Sequence, residues 1–260
     1  MEMFLGIMFF VLGTGVGSFV NMLLYRTAKR YGVLKSKSPK VGNKNRSFCD
    51  GCGRQLRWYE NIPVVSWVIQ KGKTRCCDNL LPRSYPMIEL LMGGLFLVVY
   101  VGGHIGPPLQ LLVGLVIITM LVFAAVFDAK YMILPDFSTY ILIGIAFLGV
   151  VFDEKNMIPY LLSAVAGAGF LGILYLLTKG KGMGLGDVKL AIFMGLFLGW
   201  PKIVVAFYAA FIAGAMVGII LMAMGKIKKG KTMIPFGPFL ILGVMVAWWW
   251  GEKIVKIFNF

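Results

Sequence analysis

Eight apolar runs divide this 260-residue sequence, and no other feature constrains its fold as strongly. A bilayer core about 30 Å thick needs about 20 apolar residues per spanning helix. Inside it, only helices or closed barrels satisfy their own backbone groups. The runs cover residues 4–24, 87–102, 108–127, 137–152, 158–177, 188–200, 203–224 and 234–250. They predict an all-α, polytopic membrane protein of about eight transmembrane helices. The run at 188–200 is short and extends back through the glycines before it. The first lacks a basic leading region and a small-residue cleavage site, so a cleaved signal peptide is not expected. Between the first two runs, residues 25–86 are polar and rich in Lys, Arg, Gly and Asn. The expected organisation is a first transmembrane helix (1–24), a basic loop domain with a cysteine cluster (25–86), and a seven-helix membrane core (87–260).

The composition agrees. The chain is 59% hydrophobic and 14% charged, against about 25% charged in soluble domains. This excludes a soluble fold, a disordered tail and a disulfide-rich scaffold. The net charge is +15. Placing the N-terminus outside puts 22 of the 26 Lys and Arg in inner loops, 14 of them between Arg26 and Arg83. Basic residues gather on the cytoplasmic side, so residues 25–86 are expected in the cytoplasm, against anionic lipid. The charge needs no nucleic-acid partner.

The residue counts prune the chemistry further. The single histidine, His104, lies in a Gly-Gly-His-Ile-Gly-Pro-Pro turn and is read as a loop residue. An HExxH zinc site cannot be built, and any Ser-His-Asp site would rest on His104 alone. Hydrolysis must then use carboxylates or hydroxyls. An aspartate at a helix centre costs about 2.5–3.5 kcal/mol on insertion scales, so acids near the spans call for a reason. Asp128 ends the third run, Asp136 follows eight residues on, and Asp187 opens the sixth in Gly184-Leu185-Gly186-Asp187. Helix capping accounts well for Asp136. It accounts poorly for Asp128, whose carboxylate would meet the negative end of a helix dipole.

Two close carboxylates cannot both ionise easily, which is how an acid pair hydrolyses a peptide: one takes a proton from water while the other gives one. On helix ends alone, Asp187 favours the anion and Asp128 the neutral acid. Gly184 and Gly186 would allow close backbone approach or a positive φ.

Taken together, these motifs resemble the type IV prepilin peptidases, GxGD-type aspartic proteases of bacterial inner membranes. The resemblance runs from Gly15-Val16-Gly17-Ser18-Phe19-Val20-Asn21 and Arg26 through Cys49-Asp50-Gly51-Cys52 and Asn61-Ile62-Pro63-Val64-Val65-Ser66-Trp67. It continues with Arg83-Ser84-Tyr85-Pro86-Met87-Ile88-Glu89, Asp128 with Leu134-Pro135-Asp136, Gly184-Leu185-Gly186-Asp187-Val188-Lys189 and Pro235-Phe236-Gly237-Pro238. It implies that Asp128 and Asp187 are the catalytic pair. The implied substrate is a prepilin or pseudopilin, whose basic leader is cut after a Gly just before a hydrophobic helix. Many members then methylate the new amine with S-adenosylmethionine.

Cys49, Cys52, Cys76 and Cys77 fall in one polar segment, and Cys-x-x-Cys followed by a second pair is the spacing of a tetrahedral zinc site. Disulfides are rare in the cytoplasm, so metal is preferred to a bridge. The resemblance puts a cysteine where this chain has Thr74, and Cys76 is extra. Three outcomes stay open: Cys76 replaces the missing ligand, three thiolates are completed by water, or the site is vestigial. Gly13-x-Gly15-x-Gly17 reads as close helix packing rather than as a cofactor loop. Glu60, Asp78, Glu89 and Asp136 are candidates to receive a basic leader, Glu89 first among them.

Two other readings compete: a GxGD membrane peptidase for another substrate, and an ion- or proton-coupled transporter. The transporter would call for repeats and midplane acids, whereas these aspartates are expected at the membrane edge.

Overall fold

The computed structural model describes residues 2–34, 47–49, 51–102, 108–152, 157–180, 182–225 and 234–258. Each apolar run forms a helix: α1 (Glu2–Arg30), α3 (Ser84–Val101), α4 (Pro108–Tyr131), α5 (Asp136–Phe152), α6 (Ile158–Leu177), α7 (Leu185–Leu198), α8 (Lys202–Ala223) and α9 (Gly237–Phe258). A short 3-10 turn (Trp58–Asn61) and α2 (Val65–Ile69) lie in the polar segment. No β-strand forms among the described residues, only two isolated bridges, Phe48 with Gln55 and Lys73 with Leu80. Six helices are long and apolar enough to cross a membrane, which makes this a multi-pass membrane protein. At 14 residues, α7 is only about 21 Å long. His104 and several lysines of the charge count (Lys155, Lys181, Lys226, Lys228, Lys229 and Lys231) lie outside the described residues.

The first helix continues past its apolar run to Arg30. Lys29 and Arg30 complement the negative helix end, and Gly32 follows at φ +69°. By packing, the chain divides within α4 into Met1–Thr119 and Met120–Phe260.

In the first unit, α1 and α3 cross at glycines. A Cβ on Gly13 would lie 2.6 Å from the Met92 carbonyl oxygen, and one on Gly17 would lie 2.6 Å from the Glu89 Cα. Gly15, between them, meets nothing. The spacing that matters is therefore small-x-x-x-small. It sets Glu89 directly against α1.

In the second unit, Gly195 of α7 lies against the backbone of Ala164 in α6, and Gly243 of α9 against that of Ala206 in α8. Phe123, Phe127, Leu142, Leu171, Leu190, Phe193, Met194 and Leu240 are fully buried there. Such close packing is what drives helix association where lipid is as apolar as the core.

Candidate functional site

Asp128 lies in the last turn of α4, which ends because Met132 turns left-handed (φ +56°) and Pro135 follows. Its side chain is not left to the negative end of that helix. Its Oδ2 accepts the backbone N–H of Gly237, the first residue of α9, at 3.0 Å. Helix starts leave such N–H groups unpaired. A Cβ on Gly237 would lie 2.7 Å from this oxygen, so glycine is what admits the carboxylate. Pro238 next to it suits a first helical turn. Nothing in Pro235-Phe236-Gly237-Pro238 by itself shows that its N–H is aimed at an acid 109 positions earlier.

Asp187, in the first turn of α7, accepts the Gly184 N–H through Oδ2 at 3.0 Å. Its Oδ1 is buried without a hydrogen-bond partner among the described residues. Asp128 and Asp187 are each 6% exposed, and their charges act on one another. Both aspartates singled out in the sequence are thus buried in the second unit, within reach of each other's charge. Neither glycine of the motif has a positive φ; Gly186 serves packing, since a Cβ there would lie 2.8 Å from the Leu134 Cβ, whereas one on Gly184 would meet nothing nearer than 3.8 Å. Asp136 stands apart. It opens α5 and pairs with Lys189 at 2.6 Å, with its side chain 56% exposed.

The four cysteines form a second cluster, in the first unit. All four Sγ atoms lie within 4.8 Å of one another. Cys49–Cys77 is 3.5 Å, Cys52–Cys76 3.3 Å and Cys76–Cys77 3.9 Å. A tetrahedral ion with bonds of about 2.3 Å holds its thiolates about 3.8 Å apart, so the set fits such an ion. Burial works against a Cys49 thiolate, but the N–H groups of Cys52 and Gly51 and the thiols of Cys76 and Cys77 outweigh it and bring the thiol down to about 6. Cys76 is pushed up to about 12 by burial and by its bonds to Cys52, Cys49 and Cys77.

The backbone explains the odd spacing. Two similar turns face each other. In one, Cys49 N–H donates to Arg54, Gly53 N–H returns to Cys49, and Gly53 has φ +74°. In the other, Thr74 N–H donates to Asn79, Asp78 N–H returns to Thr74, and Asp78 has φ +52°. Thr74 therefore occupies the position of Cys49, and Cys77 that of Cys52. The Thr74 hydroxyl is buried, takes the Asn79 N–H at 3.0 Å, and sits 3.4 Å from the Cys77 sulfur. Cys76 supplies the fourth sulfur from inside the turn.

Of the other acids considered, Glu60 is committed to Arg54 at 2.7 Å and to the Arg57 N–H at 2.7 Å. Asp78 is the turn residue just described. Glu89 is buried, and its Oε2 takes the Val64 N–H at 2.7 Å.

Comparison with known proteins places these features. Residues 11–102 match the bacterial peptidase A24 N-terminal domain, and residues 115–219 match the type IV leader peptidase family. The chain is 31% identical to a prepilin leader peptidase/N-methyltransferase of Stutzerimonas stutzeri, over 94% of this chain and 90% of that one. It is 30% identical to one of Pseudomonas aeruginosa, over 95% and 91%. A Bacillus subtilis protein with the same description is 31% identical, over 82% and 85%. No solved structure matches the chain.

Proposed function

Since the chain belongs to the type IV leader peptidase family, we propose that it cleaves the basic leader of type IV prepilins or pseudopilins with Asp128 and Asp187 as its catalytic pair. The cut falls after a Gly at the edge of the substrate's hydrophobic helix. The observation that carries this is two buried carboxylates within reach of each other's charge, each held at Oδ2 by a backbone N–H, with Asp187 Oδ1 left without a partner among the described residues.

The pair holds one proton and titrates as a unit. The ionised carboxylate removes a proton from water as the water oxygen bonds to the scissile carbonyl carbon. The neutral partner gives its proton to the carbonyl oxygen. Collapse of the tetrahedral species expels the amine, which takes up a proton, and the pair returns to its starting state. The buried setting keeps both carboxyl groups from being levelled by water. The fixed Gly184 and Gly237 donors set the orientation of each carboxyl plane without any rearrangement during the reaction.

The Lys and Arg distribution supports a cytoplasmic-membrane protein with its N-terminus outside and the cysteine segment in the cytoplasm. There Cys49, Cys52, Cys76 and Cys77 would hold zinc, which clamps two turns that have little apolar core of their own. The relatives' description as N-methyltransferases supports a second activity. In it, S-adenosylmethionine supplies an electrophilic methyl group for the amine that cleavage exposes.

The test is direct. Purified protein is incubated with a prepilin, with and without S-adenosylmethionine, and product masses are read. Loss of the leader is expected in both, with a further 14 Da added only with the methyl donor (one CH₂ equivalent, about 14 Da, on replacing N–H by N–CH₃). An intact prepilin in both would remove the peptidase reading.

A further inference from the structure

The sequence motifs that the aspartate pair leaves unused converge on one place. Ser18, Asn21 and Tyr25 of α1, Asn61, Ser66 and Trp67 in and beside α2, and Tyr85 and Glu89 of α3 border a cavity of about 890 Å³ within the first unit. This is in the size range of small-molecule sites. Three of its polar atoms are buried without a hydrogen-bond partner among the described residues: Asn21 Oδ1, Tyr25 Oη and Trp67 Nε1. Buried polar groups are nearly always bonded, so three such atoms on one cavity wall mark a place for a polar occupant.

The wall also has one carboxylate to offer. Glu60 is already engaged by Arg54 and the Arg57 N–H. Glu89, 7% exposed, is held from below by the Val64 N–H, with Ser18 and Asn21 beside it. Val64 adopts φ +60°, a costly conformation for a β-branched residue. Strain of this kind persists where the surroundings over-determine it, and here it aims an N–H at Glu89. The aromatic residues Tyr25, Phe48, Trp67 and Tyr85 also line the cavity.

Resting on the methyl-transfer reading above, we propose that this cavity binds the sulfonium methyl donor, with Glu89 opposite its positive sulfur and Trp67, Tyr25 and Asn21 receiving its polar groups. A lone carboxylate beside aromatic rings suits a single cation. Lys29 on the same wall suits the donor's own carboxylate, and the positive charge of Arg26 and Lys29 disfavours a leader rich in Lys and Arg. Cys49 and Thr74 border both the cavity and the cysteine cluster, so a metal held there braces this wall.

The test uses full-length protein in nanodiscs of neutral phosphatidylcholine, titrated calorimetrically with S-adenosylmethionine and with S-adenosylhomocysteine, its neutral thioether. Wild type binds one equivalent and prefers the sulfonium. Glu89→Gln removes that preference, weakening the sulfonium at least tenfold and the thioether little. Trp67→Phe and Tyr25→Phe, which delete one donor each, weaken both compounds. Trp58→Phe, at an exposed position, changes neither. Zinc content and thermal midpoint check that each variant is folded, and Tyr25→Phe keeps the question open to test if Trp67→Phe is not. Wild-type affinity in all cavity variants would place the donor elsewhere and overturn the inference while methyl transfer stands. No binding and no methylation would overturn both. Binding of a basic leader peptide in place of either nucleoside, weakened by the same variants, would make the cavity a leader groove and overturn the inference alone.

Discussion

The Gly237 N–H bonds to the Asp128 carboxylate at 3.0 Å, which ties the last turn of α4 to the first residue of α9. The donor has a polarity opposite to that of the helix end on which Asp128 sits, so the helix-end argument for which acid carries the proton does not stand on α4 alone. The approach also leaves no room for a side chain. Gly237→Ala would set a methyl 2.7 Å from Oδ2, and the carboxyl group must turn away. Misplacement by about 1 Å costs around 10²-fold in rate. A fall in kcat/KM of that order, with the thermal midpoint nearly unchanged, is the expected result of a prepilin cleavage assay.

Asp128→Asn and Asp187→Asn are each expected to abolish cleavage while expression and membrane insertion stay normal. The double variant should lose little more, because groups that act as one unit are non-additive. Substantial turnover by either single variant would remove that residue from the role.

Asp136→Asn should behave differently. Its ion pair with Lys189 is largely exposed, and exposed pairs contribute about 0–1 kcal/mol. Cleavage rates within a few-fold of wild type are expected, with equally small changes for Lys189→Gln.

Cys76→Ser should lose metal as fully as Cys49→Ser does. Thr74 stands where the matching turn carries Cys49, so Thr74→Cys added to Cys76→Ser should restore one equivalent of zinc. Metal analysis of the purified proteins decides this. Less than about half an equivalent in wild type would mean that the four thiols are not a working site.

Chelation should loosen residues 25–86 and speed their proteolysis. Leader cleavage should fall less than in the aspartate variants, and methylation more. The expected reason is local: the cluster borders the cavity of the first unit, through Cys49 and Thr74.

Gly17→Ala should lower the thermal midpoint, since its methyl would press on the backbone at Glu89, whereas Gly15→Ala meets nothing and should be neutral or slightly stabilising. Comparing the two unfolding curves separates a crossing glycine from a merely helical one.

What the sequence determined by itself is what hydropathy and local chemistry control. Eight apolar runs become eight helices because a backbone in lipid has no other partner for its polar groups. Asp136 opens α5, as its place after Leu134-Pro135 foretells. Only the tertiary structure decided what depends on residues far apart in the chain. It joined Gly237 to Asp128, set Gly186 against Leu134, and chose Gly13 and Gly17 but not Gly15 as the crossing points. It also put the Cys76 sulfur where the Thr74 turn lacks one, and gathered Asn21, Tyr25, Trp67 and Glu89 around one cavity. Periodicity reports which face of an element is apolar. It carries no information on which partner that face meets, because helix packing depends on ridges, gaps and backbone donors supplied by another segment.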